Sequence, residues 1–459
     1  LEGEFGGKVD AGAVDSLRKR SRGAIVLPGE NGYDQLREVW NGQIDRYPAV
    51  IARVACVEDI VSAVRFGREQ ELVVSVRGGG HSISGLAVCD GGLMIDCAAM
   101  RAVRVDPARL RAVAEPGATW GDFDYQTQAF GLATPGGTVT HTGIAGLTLG
   151  GGFGWLGGKH GLTCDNVRSF KIVTADGELL NADEEENTDL FWGLRGGGGN
   201  FGVVVEFEYD LHPVSEMYGG MILYPFNSGK DVFCGLNEVI DECPDELTLF
   251  GGILKAPDGT SVIGVILAYT GDATAGNKAV DPFRKFATPM ADLMGPIRYT
   301  KLQTLLDEPC APHRRNYIKT NLLKDNLVEA AELCLEGYEN VPSDHSMVAF
   351  QCLGNTAKRV ANDATAFAHR DAKAECMILS VWNDASEDQE QIAWARSLSE
   401  KMEPLVSGHY FNHVGLEADE GVEKIAASLG DNFQRLTQIK AKYDPTNFFH
   451  HNQNIKPAL

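Results

Sequence analysis

Short segments rich in β-branched residues, bounded by glycine and aspartate, recur through the first half of the chain. Examples are residues 71–76 (ELVVSV), 92–97 (GLMIDC) and 168–175 (RSFKIVTA). Runs of this length between turn-forming residues predict strands joined by tight loops. The first half is therefore predicted to form sheet strands whose connecting loops expose their backbone.

The pattern changes at residue 214, after which longer alternating strands are separated by stretches with helical periodicity. We therefore expect a first domain at residues 1–213 and a second at 214–418. The strands predicted in the second domain are 219–226, 261–272, 346–353 and 376–384, and the predicted helices include 325–340 and 387–402.

The remaining segment, 419–459, combines an amphipathic helix with an irregular polar tail. The helix is predicted to end before Asp444 and Pro445, because proline and the residue before it disfavour a continuing helix. We expect the tail to dock on another part of the molecule.

Composition narrows the class of protein. A chain of 459 residues that is 44% hydrophobic can bury a substantial core. Its formal charge of −22, from 63 acidic and 41 basic residues, argues against nucleic acid and anionic membranes as partners. We find no signal-peptide pattern and no apolar run long enough for a membrane span, so a cytoplasmic location is expected. The ten cysteines are thinly spread without a C-x-x-C pair, which indicates reduced thiols.

Glycine is concentrated in three clusters, at 78–80, 136–161 and 196–202. In the first, VRGGGHS, three successive positions lack side chains, so backbone amides could approach a diphosphate closely. The alternative is a glycine-rich hairpin followed by an ordinary histidine, His81. The second cluster is too long for one turn and too poor in charge for a flexible linker, which indicates a buried path around a ligand.

Familiar nucleotide and hydrolase signatures are missing. Phe153 and His160 occupy positions where a P-loop needs glycine and serine or threonine. A G-x-G-x-x-G occurs at residues 197–202, but a helix precedes it and a strand follows, which is the reverse of a Rossmann site. His409, His413 and Glu417 have helical spacing, but residues 409–415 alternate like a strand, which would hold the side chains apart. We therefore expect no metal site.

Four motifs in order resemble the berberine-bridge-enzyme-like family of FAD-linked oxidases, within the vanillyl-alcohol-oxidase superfamily. They are RGGGHSISG (77–85), the segment 131–167, DLFWGLRGGGGNFGVV (189–204) and YDPTNFFHHNQNIKP (443–457). The motifs resemble the bacterial 6-hydroxynicotine oxidase branch more than the plant alkaloid enzymes. The resemblance implies a two-domain α+β architecture, the PCMH-type FAD-binding fold. In it, the first domain and the C-terminal segment hold FAD, and an antiparallel sheet covered by helices forms the substrate domain.

The resemblance also implies how FAD is held. His81 would carry the flavin covalently through a ring nitrogen. Many relatives add a second link from a cysteine, but Val139 stands at that position here, so a single link is expected. The other residues expected to contact FAD are Arg77, Gly78, Gly79, Gly80, Ser82, Gly136, Gly137, Thr138, Gly143, Gly146, Asn200, Gly202, Val204, Asn452 and Asn454.

The catalytic base is harder to place. Many relatives carry a Y-x-N-Y strand whose second tyrosine is the base; here Tyr410, Asn412 and His413 occupy that motif. A histidine can act as a general base near neutrality, but His413 could equally serve in substrate recognition or as a hydrogen-bonded pocket histidine. Plant members place a glutamate where Arg359 stands, so that base is expected to be missing.

The substrate pocket is expected to include Arg359, together with Tyr317 and Lys319, which alternation places on one face of a strand. The implied reaction is removal of hydride from a small organic molecule, an alcohol, sugar, natural product or amine, with O2 reduced to H2O2. The alternatives are a dehydrogenase using another electron acceptor, a reductase holding FAD noncovalently, and a flavin-binding protein without turnover. A monomer or homodimer is expected.

Overall fold

The computed structural model describes residues 9–214, 216–414 and 422–459. The sheet at the start of the chain has the strand order β1-β2-β4-β3, in which β4 runs parallel to both β2 and β3. Helices α1 and α3 cover it. These elements are β1 (Ala24–Val26), β2 (Val50–Arg53), β3 (Val74–Arg77), β4 (Leu93–Asp96), α1 (Ala11–Arg20), α2 (Tyr33–Arg37) and α3 (Val57–Glu69).

A five-stranded antiparallel sheet follows, in the order β5-β6-β10-β8-β9, and β7 and β11 form a separate pair. Aromatic side chains, Trp120, Phe123 and Tyr209 among them, fill the core on this sheet. Its elements are β5 (Val103–Asp106), β6 (Arg111–Ala114), β7 (Leu132–Ala133), β8 (Val167–Val173), β9 (Leu179–Asp183), β10 (Val203–Asp210), β11 (His212–Pro213), α4 (Trp120–Thr127), α5 (Ile144–Leu149), α6 (Gly157–His160) and α7 (Thr188–Gly193).

The second half is built on a large antiparallel sheet in the order β15-β12-β14-β13-β18-β19-β17, with β16 paired to β12. Helices α8, α11 and α13 pack on one face of it and enclose the largest apolar core. Its elements are β12 (Glu216–Pro225), β13 (Leu247–Lys255), β14 (Ser261–Tyr269), β15 (Ala291–Asp292), β16 (Gly295–Arg298), β17 (Arg315–Leu323), β18 (Met347–Cys352), β19 (Ala374–Trp382), α8 (Gly229–Val239), α9 (Ala273–Val280), α10 (Tyr299–Gln303), α11 (Leu327–Tyr338), α12 (Asn355–Arg359) and α13 (Asp388–Met402).

The strands and helices predicted on both sides of residue 214 are confirmed, including the predicted helix at 387–402, which is α13, whereas the strand expected at 409–415 does not form over residues 409–414. The division into domains at 213 and 418 stays a prediction, and its second boundary lies outside the described residues. Within the described ranges, every helix is too short or too polar to cross a lipid bilayer. The C-terminal helices are α14 (Val422–Leu429) and α15 (Phe433–Tyr443).

A buried ion pair fixes the C-terminal tail where α15 ends, as predicted, before Asp444. The ammonium group of Lys440, fully buried, donates to the Asp444 carboxylate at 2.7 Å and to the carbonyl oxygens of Asn200 and Phe449 at 2.7 and 2.9 Å. Asp444 also accepts from the backbone N–H of Phe448. The pair therefore holds the tail against the third glycine cluster.

Lys440→Met is expected to lower the free energy of unfolding by about 3–5 kcal/mol, because Asp444 would remain charged and buried without its partner. Urea denaturation measures the loss. The matched control is Lys442→Met, which breaks the surface pair with Asp189 (2.7 Å). Because that pair is solvated, the control is expected to lose less than about 1 kcal/mol. Equal losses in the two variants would contradict a structural role for the buried pair.

Candidate active site

His81 follows the glycine turn at the end of β3, and its ring is held in one orientation. The backbone reverses at Gly80 (φ +70°), a conformation that favours glycine. The Trp40 ring stacks on the His81 ring, with centroids 4.3 Å apart and planes inclined by 18°. Trp40 itself is fixed, since its backbone N–H donates to the Gly80 carbonyl and its indole N–H to the Cys310 carbonyl.

A second histidine, His141, meets His81 from the middle glycine cluster. His81 Nε2 lies 3.1 Å from His141 Nδ1. Burial lowers the pKa of His81 to about 3, and repulsion from His141 and His413 adds to the effect. His81 is therefore a neutral imidazole at physiological pH. Sequence reasoning missed His141; the available signal was a histidine within an otherwise charge-poor, glycine-rich segment.

The first two glycine clusters pack backbone against backbone. A Cβ at Gly79 would lie 2.4 Å from the Gly143 Cα, so neither position tolerates a side chain. Gly136 and Gly137 lie against the Trp120 ring, while a Cβ at Gly146, in α5, would meet nothing within 4 Å. The capping box of Thr119 and Asp122 positions Trp120 at the start of α4. Together the two clusters form a cradle with open space at Gly146. Gly78 also packs on the second cluster, because a Cβ there would lie 3.3 Å from the Ala145 Cβ.

Two alanine variants separate packing from ligand binding in this cradle. Gly79→Ala is expected to destabilise the fold by about 1–3 kcal/mol, because the methyl group overlaps backbone that cannot move aside. Gly146→Ala should keep the parent melting temperature, since the space is open, yet purify with a lower flavin-to-protein ratio. Thermal melting and absorbance measure the two effects. An unchanged flavin content in Gly146→Ala would contradict the cradle as the cofactor site.

The third glycine cluster is joined to the C-terminal tail through Asn200. The Asn200 amide donates to the carbonyls of Gly197 and Gln453, and its oxygen accepts from the Ile455 N–H. The Asn200 side chain is therefore engaged inside the protein, and its contact with FAD, expected largely through the backbone, stays a prediction. The backbone at Gly202 approaches the Val173 carbonyl too closely for a side chain, and Val204 is a core residue of β10.

Two tail residues carry polar atoms that the described residues leave unpaired. Asn452 donates to the carbonyls of Gly199 and Phe449, but its oxygen and that of Asn454 are buried without a hydrogen-bond partner within the described residues. A Cβ at Gly199 would also meet open space. Buried acceptors beside an open backbone path suit a ligand rich in hydrogen-bond donors, as FAD is.

Arg77 and Ser82, expected to wrap the pyrophosphate, have side chains engaged within the protein. The Arg77 guanidinium donates to the Leu36 carbonyl at 2.6 Å and lies 3.9 Å from the buried carboxylate of Asp96. The Ser82 hydroxyl accepts from the Leu86 N–H at 3.2 Å. Both side chains therefore shape the glycine turn, and their contact with the pyrophosphate stays a prediction.

The motif Tyr410, Asn412 and His413 does not form the expected strand; Phe411–His413 is a single 3₁₀ turn. The turn forms because its side chains bind the second glycine cluster. The Tyr410 hydroxyl accepts from the Gly152 N–H, and the Asn412 amide donates to the Gly146 carbonyl and to the Tyr410 hydroxyl. Burial raises the pKa of Tyr410, so this phenol stays protonated.

His413 pairs with a glutamate that sequence reasoning missed. His413 Nδ1 lies 2.7 Å from Glu375 Oε1; the Glu375 side chain is fully buried, whereas the His413 side chain keeps 18% of its surface exposed. Glu375 Oε2 has no hydrogen-bond partner within the described residues. Glu375 lies on β19, opposite Leu322. A glutamate therefore lies beside His413, but it is Glu375 and not a residue at the position of Arg359, where plant members of the family carry theirs.

Hydrogen bonds tie the turn that carries His413 to the loop that carries His81. The Ser84 hydroxyl donates to the Val414 carbonyl at 3.2 Å, and the Gln453 amide of the tail donates to the same oxygen at 3.1 Å. His413 is near enough to His81 to disfavour its protonation. The two histidines thus belong to one site.

The other predicted pocket residues lie elsewhere. Tyr317 and Lys319 share a face of β17, as alternation predicts, but it is the face covered by α13: Tyr317 pairs with Ser380, which bonds Gln391 of that helix. Ile318, on the opposite face, contacts Trp40. The two-residue repeat of a strand tells which side chains share a face, but it does not tell which face lies toward the active site.

Arg359 is a surface residue. Its guanidinium donates twice to the Asp245 carboxylate, at 3.0 and 2.6 Å, and its side chain is 59% exposed. It is therefore not among the residues that the structure gathers around His81. Across the part of the chain that the structure describes, no three His, Cys, Asp or Glu side chains form a metal-binding group. Glu417 lies outside that part.

Comparisons with known proteins identify an FAD-binding domain and the family of the chain. The family model described as an FAD binding domain matches residues 48–183, and the one described as berberine and berberine like matches residues 427–456. An FAD-linked oxidoreductase of Dictyostelium discoideum is 32% identical over 449 residues, covering 97% of this chain and 97% of that protein. The (R)-6-hydroxynicotine oxidase of Paenarthrobacter nicotinovorans is 28% identical over 457 residues, covering 95% and 97%.

A solved structure shows the same fold. The crystal structure of 6-hydroxy-D-nicotine oxidase from Arthrobacter nicotinovorans matches with a TM-score of 0.86 at 26% identity and covers 95% of this chain and 98% of that one. Fold and site together define an FAD-linked oxidoreductase. The chain belongs to the berberine-bridge-enzyme-like family of these enzymes. The predicted family and the predicted α+β, PCMH-type fold class are confirmed.

Proposed function

We propose that this enzyme is an oxidase that removes a hydride from a carbon atom of a small organic molecule and passes the electrons to molecular oxygen, releasing hydrogen peroxide. The substrate is an alcohol, a sugar, another hydroxylated natural product or an amine. The observation that carries the proposal is the pair of His413 and Glu375, with Nδ1 and Oε1 2.7 Å apart, close to His81.

The cradle residues would hold FAD, and His81 would carry it through one covalent bond, since Val139 offers no thiol for a second. Open space at Gly146 and the unpaired acceptors of Asn452 and Asn454 support this placement. Bound there, FAD supplies the hydride acceptor and the route by which electrons reach oxygen.

His413 acts as the base in this proposal, and Glu375 fixes its tautomer. With the carboxylate ionised, the Nδ1 proton of His413 donates to Oε1, which leaves the lone pair on Nε2 to accept a proton from substrate. The 18% exposure of the His413 side chain leaves the ring accessible. Burial of Glu375 strengthens this orientation, because a carboxylate removed from water keeps its hydrogen-bond donor.

The substrate class determines whether this base is needed. An alcohol or phenol must lose its O–H proton as hydride departs, and His413 Nε2 would accept it. An amine can expel hydride by means of its nitrogen lone pair without a protein base. One relative is named (R)-6-hydroxynicotine oxidase, and this name is the reason why amines stay among the proposed substrate classes.

The test is anaerobic mixing of the holoenzyme with a panel of alcohols, sugars and amines, followed by admission of air. Loss of the visible flavin absorbance, its recovery in air and stoichiometric peroxide are the expected results. Bleaching that air does not reverse would identify a dehydrogenase. Bleaching by a reduced nicotinamide nucleotide instead of any panel compound would contradict the proposal in favour of a reductase.

A further inference from the structure

The two ring nitrogens of His81 are not equivalent in this site. Nε2 lies 3.1 Å from Nδ1 of His141, and the two rings are stacked with centroids 5.1 Å apart. The Trp40 ring covers the His81 ring at 4.3 Å. The hydrogen bond to His141 engages Nε2, so Nδ1 is the nitrogen that carries the lone pair when the Nε2 proton is donated to His141.

His141 is itself held in place from the second half of the chain. Thr140, the residue before His141, donates its backbone N–H to the Asp307 carboxylate at 2.8 Å and its hydroxyl to the same carboxylate at 2.7 Å. Burial lowers the pKa of His141, while the negative charge of Asp307 opposes that shift. The carboxylate would therefore stabilise a proton arriving on His141. His141 Nε2 is buried without a hydrogen-bond partner within the described residues.

We infer that His141 is a positioning base for covalent attachment of the flavin: it holds the Nε2 proton of His81, directs His81 Nδ1 to the flavin methyl carbon, and accepts that proton as the bond forms. The inference rests on the proposed histidyl link. It adds the nitrogen used and the residue that activates it.

With dioxygen as the oxidant, the atoms and electrons of the attachment step balance. The N–H bond of His81 and one C–H bond of the flavin methyl group break, and the bond between Nδ1 and that carbon forms. Two electrons and two protons pass to O2, which becomes H2O2. Alkylation at Nδ1 makes the remaining Nε2–H of His81 more acidic, and His141 Nδ1, at hydrogen-bond distance, receives this proton and releases it to solvent.

The experiment follows attachment rather than turnover. The full chain, produced in riboflavin-limited cells, is mixed with FAD in air, and intact mass after acid quenching gives the fraction covalently loaded over time. In His141→Asn, the side-chain oxygen lies near the former position of His141 Nδ1 and can accept a hydrogen bond from His81, but it cannot take up a proton. Attachment is therefore expected to slow by about 10²–10⁴-fold, the range for loss of a general base. The matched control is His212→Asn, which replaces a half-buried histidine of β11 whose ring stacks on that of His160; it should attach FAD at the parent rate.

Two further readouts separate a base from a structural residue. Added imidazole should restore attachment in His141→Ala, and the rise of the parent rate with pH should vanish in His141→Asn. Noncovalent FAD released by acid from either variant shows that the site is folded. NMR of the flavinyl peptide from the parent should place the bond on Nδ1, a result that does not depend on any variant.

The outcomes distinguish this inference from the proposed covalent link. If the parent chain never gains the mass of FAD, the histidyl link is wrong, and so is the inference that rests on it. A parent that gains the mass through Nε2, or His141 variants that attach FAD at the parent rate, would overturn the inference alone and leave the histidyl link standing.

Discussion

His413→Asn is expected to slow anaerobic flavin reduction by an alcohol or phenol substrate by about 10²–10⁴-fold, the usual contribution of a positioned general base. Asparagine can still face Glu375, but it has no nitrogen lone pair to accept the substrate proton. Stopped-flow absorbance at saturating substrate measures the step directly and excludes oxygen reactivity from the result. Binding should change little, so the loss should fall on kcat.

Two companion variants sharpen this prediction. Glu375→Gln should also slow reduction, because a neutral amide no longer selects the tautomer with the Nδ1 proton of His413 facing it. His409→Asn is the control: it removes a buried histidine whose Nδ1 faces the Thr320 carbonyl at 3.0 Å, and its rate should stay within a few-fold of the parent. Equal losses in His409→Asn and His413→Asn would indicate general damage to the turn.

The His413→Asn variant also distinguishes alcohol substrates from amine substrates. If the physiological substrate is an amine, His413→Asn should retain most of the parent rate, since the nitrogen lone pair expels hydride without a base. A full rate with an alcohol substrate would instead contradict the role proposed for His413. The ratio of the alcohol rate to the amine rate in one variant is therefore more informative than either rate alone.

Much of the cofactor site could be predicted from the sequence because glycine marks it. Gly79 and Gly143 lie in separate clusters, yet each is needed for the same backbone contact, and their contact closes the cradle. Motif order and periodicity also predicted the strands on both sides of residue 214. These features depend on local spacing and backbone chemistry, which a single sequence displays.

The catalytic side could be predicted only in part, because it is assembled from distant strands. Glu375 reaches His413 through the pairing of β19 with β17 and the turn at 411–413, and neither is visible in the spacing of residues. Tyr317 and Lys319 were placed on the correct common face but on the wrong side of the sheet. That side is decided by where α13 packs, which is a tertiary contact.

His81→Ala is expected to abolish covalent flavin. After acid denaturation the parent should keep its yellow colour with the precipitated protein and show an intact mass raised by one FAD less two hydrogens, whereas the variant should release all its colour and show the mass of the bare chain. Trp40 and His141 hold only the ring of residue 81, so the glycine cradle can still retain FAD noncovalently in the variant.

The control for His81→Ala is His451→Asn, which replaces a half-buried histidine of the tail whose Nε2 faces the Val88 carbonyl at 3.0 Å. That variant should keep the mass shift of the parent. If the parent itself released its flavin in acid, the proposed histidyl bond would be wrong, and the neutral state of His81 would need another explanation. If His81→Ala kept the mass shift, a different nucleophile would carry the flavin. Because all cysteines of the described chain are free of disulfide bonds, peptide mapping would then begin with Cys164, which lies in the motif at residues 131–167.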